Sequence, residues 1–199
     1  NGLVGYGEAS PFAPVTGETV DSAYAMLKLF RDELIGLDPH DLETIHKKMN
    51  SVTTANPAAK CAVDLAMYDL IGKQAQLPVY KILGGYSNKL ENDITIGIMP
   101  PDKMAQTAKK LVEEDNYRIL KIKVGINLKE DIEAITKIRE AVGPNVIIRA
   151  DANQGYCVSD ALKALDTFRN LGVEAVEQCL PYWNLDGAAF IRRTIGGGI

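Results

Sequence analysis

The sequence has few cysteines, no long apolar run and no excess of basic residues. Its three cysteines, Cys61, Cys157 and Cys179, are odd in number and far apart, so neither a disulfide framework nor a zinc site is indicated. Because no apolar run has membrane-spanning length and the amino end lacks a signal-peptide pattern, we expect a cytoplasmic protein without a membrane partner. The net charge of −4, without a basic cluster, argues against nucleic acid as a partner.

The chain does contain enough apolar residues for a core. Hydrophobic residues make up 46% of the 199 residues, which fits one large globular domain or two modest ones. Residues 1–90 are predicted to be mainly helical, after a glycine-rich strand over residues 1–8. The spacing of apolar residues and the capping residues predict helices at 19–34, 41–49 and 56–74.

Residues 91–199 alternate between strand and helix. Strands are predicted at 93–98, 118–124, 145–150 and 173–178, and helices at 102–115, 129–142, 159–171 and 185–195. The units recur every roughly 25 to 30 residues, which is typical of a (β/α) barrel. Four units make half of such a barrel, and the glycine-rich tail ends where a fifth strand is expected.

The second predicted strand, residues 118–124, carries two lysines on one face. Side chains alternate along a strand, so Lys121 and Lys123 point to one side, and Leu120, Ile122 and Val124 point to the other. A buried lysine is costly unless it is paired, and a desolvated lysine beside a second cation has a lowered pKa, which suits a general base. The alternative is an edge strand with both lysines in water.

The next two predicted strands end in acidic residues on the matching face, Asp151 and Glu177. Active sites of (β/α) barrels lie at the carboxyl ends of the strands, where we expect these carboxylates to meet the lysines. Carboxylates from separate strands suit Mg²⁺, and the lysines could take a proton from a substrate whose developing charge the metal neutralises. Alternatively, Asp151 could form a turn with the residues that follow, and Glu177 could pair with a lysine.

These motifs resemble the enolase superfamily, specifically its mandelate racemase/muconate-lactonising subgroup. That subgroup has K-x-K, D-x-N and E-Q-P at the second, third and fourth barrel strands, and this chain has Lys121-Ile-Lys123, Asp151-Ala-Asn153 and Glu177-Gln-Cys179. A cysteine therefore replaces the usual proline. The resemblance implies an α+β capping domain in residues 1–90, followed by a partial (β/α) TIM-type barrel of about four units in residues 91–199.

The resemblance also implies a role for each of the two lysines. Lys123 would be the base that removes the proton α to a substrate carboxylate, forming an enolate. Lys121 would hold that carboxylate and lower the pKa of its neighbour.

By the same resemblance, Asp151 and Glu177 would be Mg²⁺ ligands, whereas Asn153 and Gln178 would support the ligands or face the substrate. A third metal-binding carboxylate and a second catalytic lysine would follow residue 199. We therefore expect the chain to be a fragment that is inactive alone.

Among relatives, the motifs most resemble dipeptide epimerases, which implies an isomerase acting on a small carboxylate such as a dipeptide. A muconate cycloisomerase and an acid-sugar or hydroxyproline dehydratase remain alternatives, as does a truncated, non-catalytic binding or assembly module. A phosphate-binding barrel that uses Gly125 or the glycine tail is a weaker alternative. Because a half-barrel leaves open edges, we expect a homo-oligomer.

Overall fold

The computed structural model describes residues 2–196 as two compact units that divide between Leu90 and Glu91. Asn1 and residues 197–199 lie outside the described residues, and with them most of the glycine-rich tail. The helices of the front unit are Ala13–Thr16 (α1), Val20–Leu34 (α2), Leu42–Val52 (α3), Pro57–Ala75 (α4) and Val79–Ile82 (α5). Within residues 2–196, none of the helices combines the length and apolar character that a membrane span requires.

Capping residues explain where the helices of the front unit begin. The Thr19 hydroxyl accepts a hydrogen bond from the Ser22 amide, and the Ser22 hydroxyl accepts one from the Thr19 amide, so this reciprocal pair starts α2. The first turn of α4 is capped from a distance, because the buried Glu18 carboxylate accepts the amides of Ala58 at 2.9 Å and Ala59 at 3.3 Å. Helices α2, α3 and α4 then enclose a core of Ala23, Phe30, Ile45, Met49 and Ala59.

The strand predicted for residues 1–8 is wrong for the described part, since residues 2–12 are in neither a strand nor a helix. This segment is held by α4 instead of by a neighbouring strand. The Tyr6 amide donates to Asp69 Oδ2 at 2.8 Å. A side chain at Gly7 would overlap with the Ala62 carbonyl, so glycine is needed for the close approach.

The back unit alternates strands and helices as the sequence predicts. The strands are Ile94–Ile96 (β1), Ile119–Lys123 (β2), Ile147–Asp151 (β3) and Val173–Glu177 (β4), and the helices are Pro101–Glu113 (α6), Leu128–Val142 (α7), Val158–Asn170 (α8) and Leu185–Ile195 (α9). The four strands are parallel and lie side by side in chain order. This arrangement confirms the partial (β/α) barrel.

One face of this sheet packs against the helices and forms the core of the back unit. Leu120, Ile122 and Ile148 on that face are completely buried. They contact a cluster that includes Ile135 of α7 and Phe168 of α8. Burying each such side chain contributes roughly 1.5–3 kcal/mol to stability. Because a shift by one residue would expose these side chains, their burial determines which residues lie on the opposite face.

Strand register brings the polar residues of the other face into line. Lys123 is paired with Asp151, and Asp151 with Glu177. Between β3 and β4 the register shifts: Ile148 is opposite Val173, whereas Arg149 is opposite Ala175. Strand β4 therefore contains one extra residue, which is the definition of a β-bulge.

Candidate active site

The carboxyl end of β2 places Lys123 against the end of β3. Its Nζ donates to Asp151 Oδ2 at 2.7 Å and to Asn153 Oδ1 at 2.8 Å. The Lys123 side chain remains 28% exposed, whereas that of Asp151 is 2% exposed. The lysine can therefore be reached from solvent, while the carboxylate lies behind it.

Lys121 lies on the same face of β2, two residues before Lys123, and contacts the acidic residues of both β3 and β4. Its Nζ is 2.5 Å from Glu177 Oε2 and 3.1 Å from Asp151 Oδ2. Because Lys123 also contacts Asp151 Oδ2, both ammonium groups share one carboxylate oxygen. The site is a network of two cations and two anions across three neighbouring strands.

The charges within this network change the pKa values of its members. Burial pushes the pKa of Asp151 upward, but hydrogen bonds from Lys123, the Asn153 amide and Lys121 outweigh it and leave the pKa below its ordinary value. The pKa of Lys121 is raised, chiefly by its hydrogen bond to Glu177. For Lys121, the two carboxylates therefore outweigh the effect of burial.

Gln178 and Cys179 follow β4, and the structure does not place their side chains in this network. Gln178 has a φ of 49°, and its carbonyl accepts the Gln154 amide at 2.7 Å. This left-handed residue ends the alternation of the strand, so Cys179 packs against the core instead of sharing the face of Glu177. Burial raises the pKa of the Cys179 thiol to about 11, which makes it an inert thiol.

Asp131, in the first turn of α7, is a buried acid that the sequence analysis missed. Its Oδ2 accepts the Gly125 amide and the Tyr156 hydroxyl, each at 2.9 Å. Burial raises the pKa of Asp131, and these hydrogen bonds oppose that change. A signal was available, because Asp131 lies on the apolar stripe that continues through Ile135 and Ile138.

Arg149 is a second residue whose contacts were not predicted. It lies on the lysine face of β3, with Nε 2.6 Å from Glu174 and Nη1 3.4 Å from Asp93. The pKa of Arg149 is raised, mainly by its hydrogen bond to Glu174. The face below the lysines is therefore partly ionic and not purely apolar.

Asp151 and Glu177 are the residues that fit a magnesium ion. They supply carboxylate oxygens from neighbouring strands, and Mg²⁺ is commonly bound by one or two carboxylates together with water and substrate oxygens. Within residues 2–196, no group of three or more acidic, cysteine or histidine side chains is arranged to hold a metal ion. The described residues thus offer two carboxylates that could hold such an ion.

Comparison with known families covers both units. Residues 1–84 match the amino-terminal domain of mandelate racemase/muconate lactonizing enzymes, and residues 103–199 match the enolase C-terminal domain-like family. The chain belongs to the mandelate racemase/muconate lactonizing enzyme family. The α+β capping domain and partial barrel implied by the sequence motifs are confirmed by these matches.

Individual members of the family are similar along nearly the whole chain. A hydrophobic dipeptide epimerase from Enterococcus faecalis is 44% identical over 96% of the chain and 53% of its own length. An L-Ala-D/L-Glu epimerase from Clostridium acetobutylicum is 40% identical over 96% of the chain and 54% of its own length.

Among solved structures, the E. faecalis V583 dipeptide epimerase complexed with Mg and the dipeptide L-Leu-L-Tyr gives a TM-score of 0.95. It is 42% identical and matches 98% of this chain and 55% of its own. The chain thus spans about half the length of the relatives that it matches.

Proposed function

We propose that the protein is a Mg²⁺-dependent isomerase that removes the proton α to a carboxylate, and that its substrates are dipeptides. One observation carries the proposal: Lys121 and Lys123 face Asp151 and Glu177 in register at the carboxyl ends of neighbouring strands. The similar epimerases support the choice of substrate class.

The geometry favours Lys123 as the base. Its amine lies near the end of β2 and is partly exposed, and Asn153 holds it with a 2.8 Å hydrogen bond. Lys121 is further from the strand end, so it is suited to binding the substrate carboxylate as a fixed cation. Lys121 would supply positive charge where an enolate develops, and Lys123 would become positively charged as it takes the proton.

Asp151 and Glu177 would hold the magnesium ion, and Asn153 would support this arrangement through Asp151. The Asn153 amide donates to Asp151 Oδ1 at 2.9 Å, which orients that carboxylate. A bound Mg²⁺ supplies positive charge that stabilises the negative charge developing on the substrate carboxylate. Gln178 lies beside Glu177 and is proposed to support the ligands or face the substrate.

The activity is proposed for the whole protein, because the chain spans about half the length of its relatives. A second acid or base on the opposite side of the substrate is needed to complete an epimerisation, since one lysine pair serves a single face. We also propose that residues 1–90 and 91–199 are separate domains, that the protein is cytoplasmic, and that it forms a homo-oligomer.

The proposal is tested by proton exchange in D₂O, with the protein expressed from its complete reading frame. L-Leu-L-Tyr and L-Ala-L-Glu are incubated with enzyme and Mg²⁺, and NMR follows deuterium at each α-carbon. We expect exchange in the wild type and a loss of at least about 100-fold in Lys123→Ala. Lys129→Ala, which removes an exposed lysine of α7, is the matched control and should exchange normally.

Unchanged exchange in Lys123→Ala would refute the assignment of the base. Absence of exchange in the wild type with every dipeptide would refute the substrate class. A product with altered connectivity, or loss of water from the substrate, would instead support a cycloisomerase or a dehydratase.

A further inference from the structure

The loops that follow β2 and β3 are joined by one buried carboxylate. Asp131 Oδ2 accepts the Gly125 amide, two residues after Lys123, and the Tyr156 hydroxyl, which belongs to the loop after Asp151. Asp131 and Tyr156 are 4% and 5% exposed, so neither bond is readily replaced by water. A single side chain on α7 therefore fixes the chain beyond both strand ends.

The same two loops touch through their backbones. A side chain at Gly155 would overlap with the Gly125 carbonyl, and one at Gly125 would overlap with the Ala152 carbonyl. Gly125 also has a φ of 105°, a conformation that favours glycine. The two loops therefore approach each other so closely that neither glycine position has room for a side chain.

This contact lies directly beyond the pair that forms the proposed site. The Val124 amide donates to the Asp151 carbonyl at 3.0 Å, so β2 and β3 remain paired up to the residue before Gly125. Lys123 Nζ then reaches Asp151 Oδ2 at 2.7 Å. A shift of either loop would change the separation of these two groups, and misplacement by about 1 Å can cost roughly 100-fold in rate.

We propose that Asp131 is a positioning residue that sets the separation of Lys123 from Asp151 by holding the loops after β2 and β3 together. The proposal rests on the proposed function of these two residues. It does not require Asp131 to touch the substrate. A purely structural role would lower the stability of the whole sheet without a particular effect at the strand ends.

Arg139, on the same helix, provides a matched control at the opposite end of the strands. Its guanidinium donates to the carbonyls of Val146, Gly143, Leu171 and Gly172. The variants Asp131→Ala and Arg139→Met thus loosen α7 from opposite ends of the sheet. Asp131→Asn retains an acceptor oxygen and tests whether that oxygen restores the contact between the loops. Tyr156→Phe removes only the hydrogen bond from the Tyr156 hydroxyl, and it replaces Asp131→Ala if that variant does not fold.

The first measurement is amide hydrogen exchange by NMR. In Asp131→Ala we expect the Val124 and Gly125 amides to exchange at least about tenfold faster relative to the Ile147 amide, which lies at the start of β3. Asp131→Asn should stay close to the wild type. Arg139→Met should accelerate Ile147 at least as much as Val124. Equal acceleration of all three amides in Asp131→Ala would overturn the proposal.

The second measurement is α-proton exchange in the protein expressed from its complete reading frame. We expect Asp131→Ala to lower kcat roughly 10- to 100-fold with a smaller change in KM, and Arg139→Met to leave kcat within about threefold. Local loosening with unchanged kcat would overturn the positioning role and leave the proposed function intact. If the wild type itself shows no exchange, the proposed function fails, and the amide measurement alone decides whether Asp131 holds Lys123 beside Asp151.

Discussion

Replacing Arg139 by methionine should cost the back unit much of its stability. The Arg139 guanidinium lies at the amino ends of β3 and β4, where it donates four hydrogen bonds of 2.7 to 3.0 Å to backbone carbonyls. Burial lowers its pKa, which shows that the charge is partly removed from water. Methionine keeps an apolar stem of similar length but donates no hydrogen bond.

The magnitude follows from the number of bonds. At a net value of about 1 kcal/mol per hydrogen bond, the four bonds set an upper limit of about 4 kcal/mol. Because the guanidinium is only partly buried, water replaces some of the lost donors, and we expect a loss of about 2–4 kcal/mol. Arg139→Lys should recover less than half, since one ammonium group cannot reach four carbonyls.

The assay is urea unfolding followed by far-UV circular dichroism, with the slope of the transition compared between variants. Arg169→Met is the matched control, because Arg169 is exposed and, within residues 2–196, its side chain makes one hydrogen bond, to the Ile195 carbonyl. It should cost less than about 1 kcal/mol. If the free energies of unfolding of Arg139→Met and Arg169→Met agree within about 0.5 kcal/mol, the reasoning is refuted.

Four further predictions concern the metal, the loops, acid behaviour and assembly. Asp151→Asn and Glu177→Gln should each weaken Mg²⁺ binding by about tenfold or more in titration calorimetry of the protein expressed from its complete reading frame; unchanged affinity would mean a wrong ligand. Gly155→Ala should lower stability by about 1–3 kcal/mol in urea unfolding, whereas Gly97→Ala, with open space around it, should be nearly neutral; equal effects would contradict the close loop contact. Because the pKa of Asp131 is raised in the fold, its stability contribution is fully present below pH about 3.8 and is lost as the pH rises through the folded pKa. Asp131→Asn should therefore gain stability relative to the wild type as the pH rises above about 3.8, and a constant difference would argue against the raised pKa. Sedimentation equilibrium of the 199-residue chain at micromolar concentration should show self-association, and a monodisperse monomer would contradict the open-edge argument.

Side-chain alternation was a reliable guide where a strand is paired on both sides. It placed Lys123 and Asp151 on one face because the helix side of β2 and β3 is a continuous apolar surface that allows no other register. Alternation also predicts that Cys179 shares the face of Glu177, but this prediction is wrong, because Gln178 adopts a left-handed conformation and Cys179 turns to the core. Sequence periodicity carries no information on such a single dihedral angle.

The contacts of Asp131 and Arg149 were not predicted for a different reason. Their partners are distant in the sequence: Tyr156 for Asp131, and Asp93 and Glu174 for Arg149. An acid on an apolar helical stripe signals that some buried donor exists, but only the fold identifies the donor. The strand predicted in residues 1–8 was wrong because a glycine-rich sequence is equally suited to packing closely against a helix, as this segment does against α4.

The bulge between β3 and β4 makes the site depend on residue number as well as residue type. From Ile148 to Asp151 strand β3 advances three positions, while the opposing strand advances four, from Val173 to Glu177. If β4 instead paired regularly from Val173 onward, Val176 would lie opposite Asp151, and the Glu177 carboxylate would point toward the helices. A chain with every proposed ligand present but no bulge in β4 would then lack one ligand at the site, so the motif alone does not identify a protein that is able to use it.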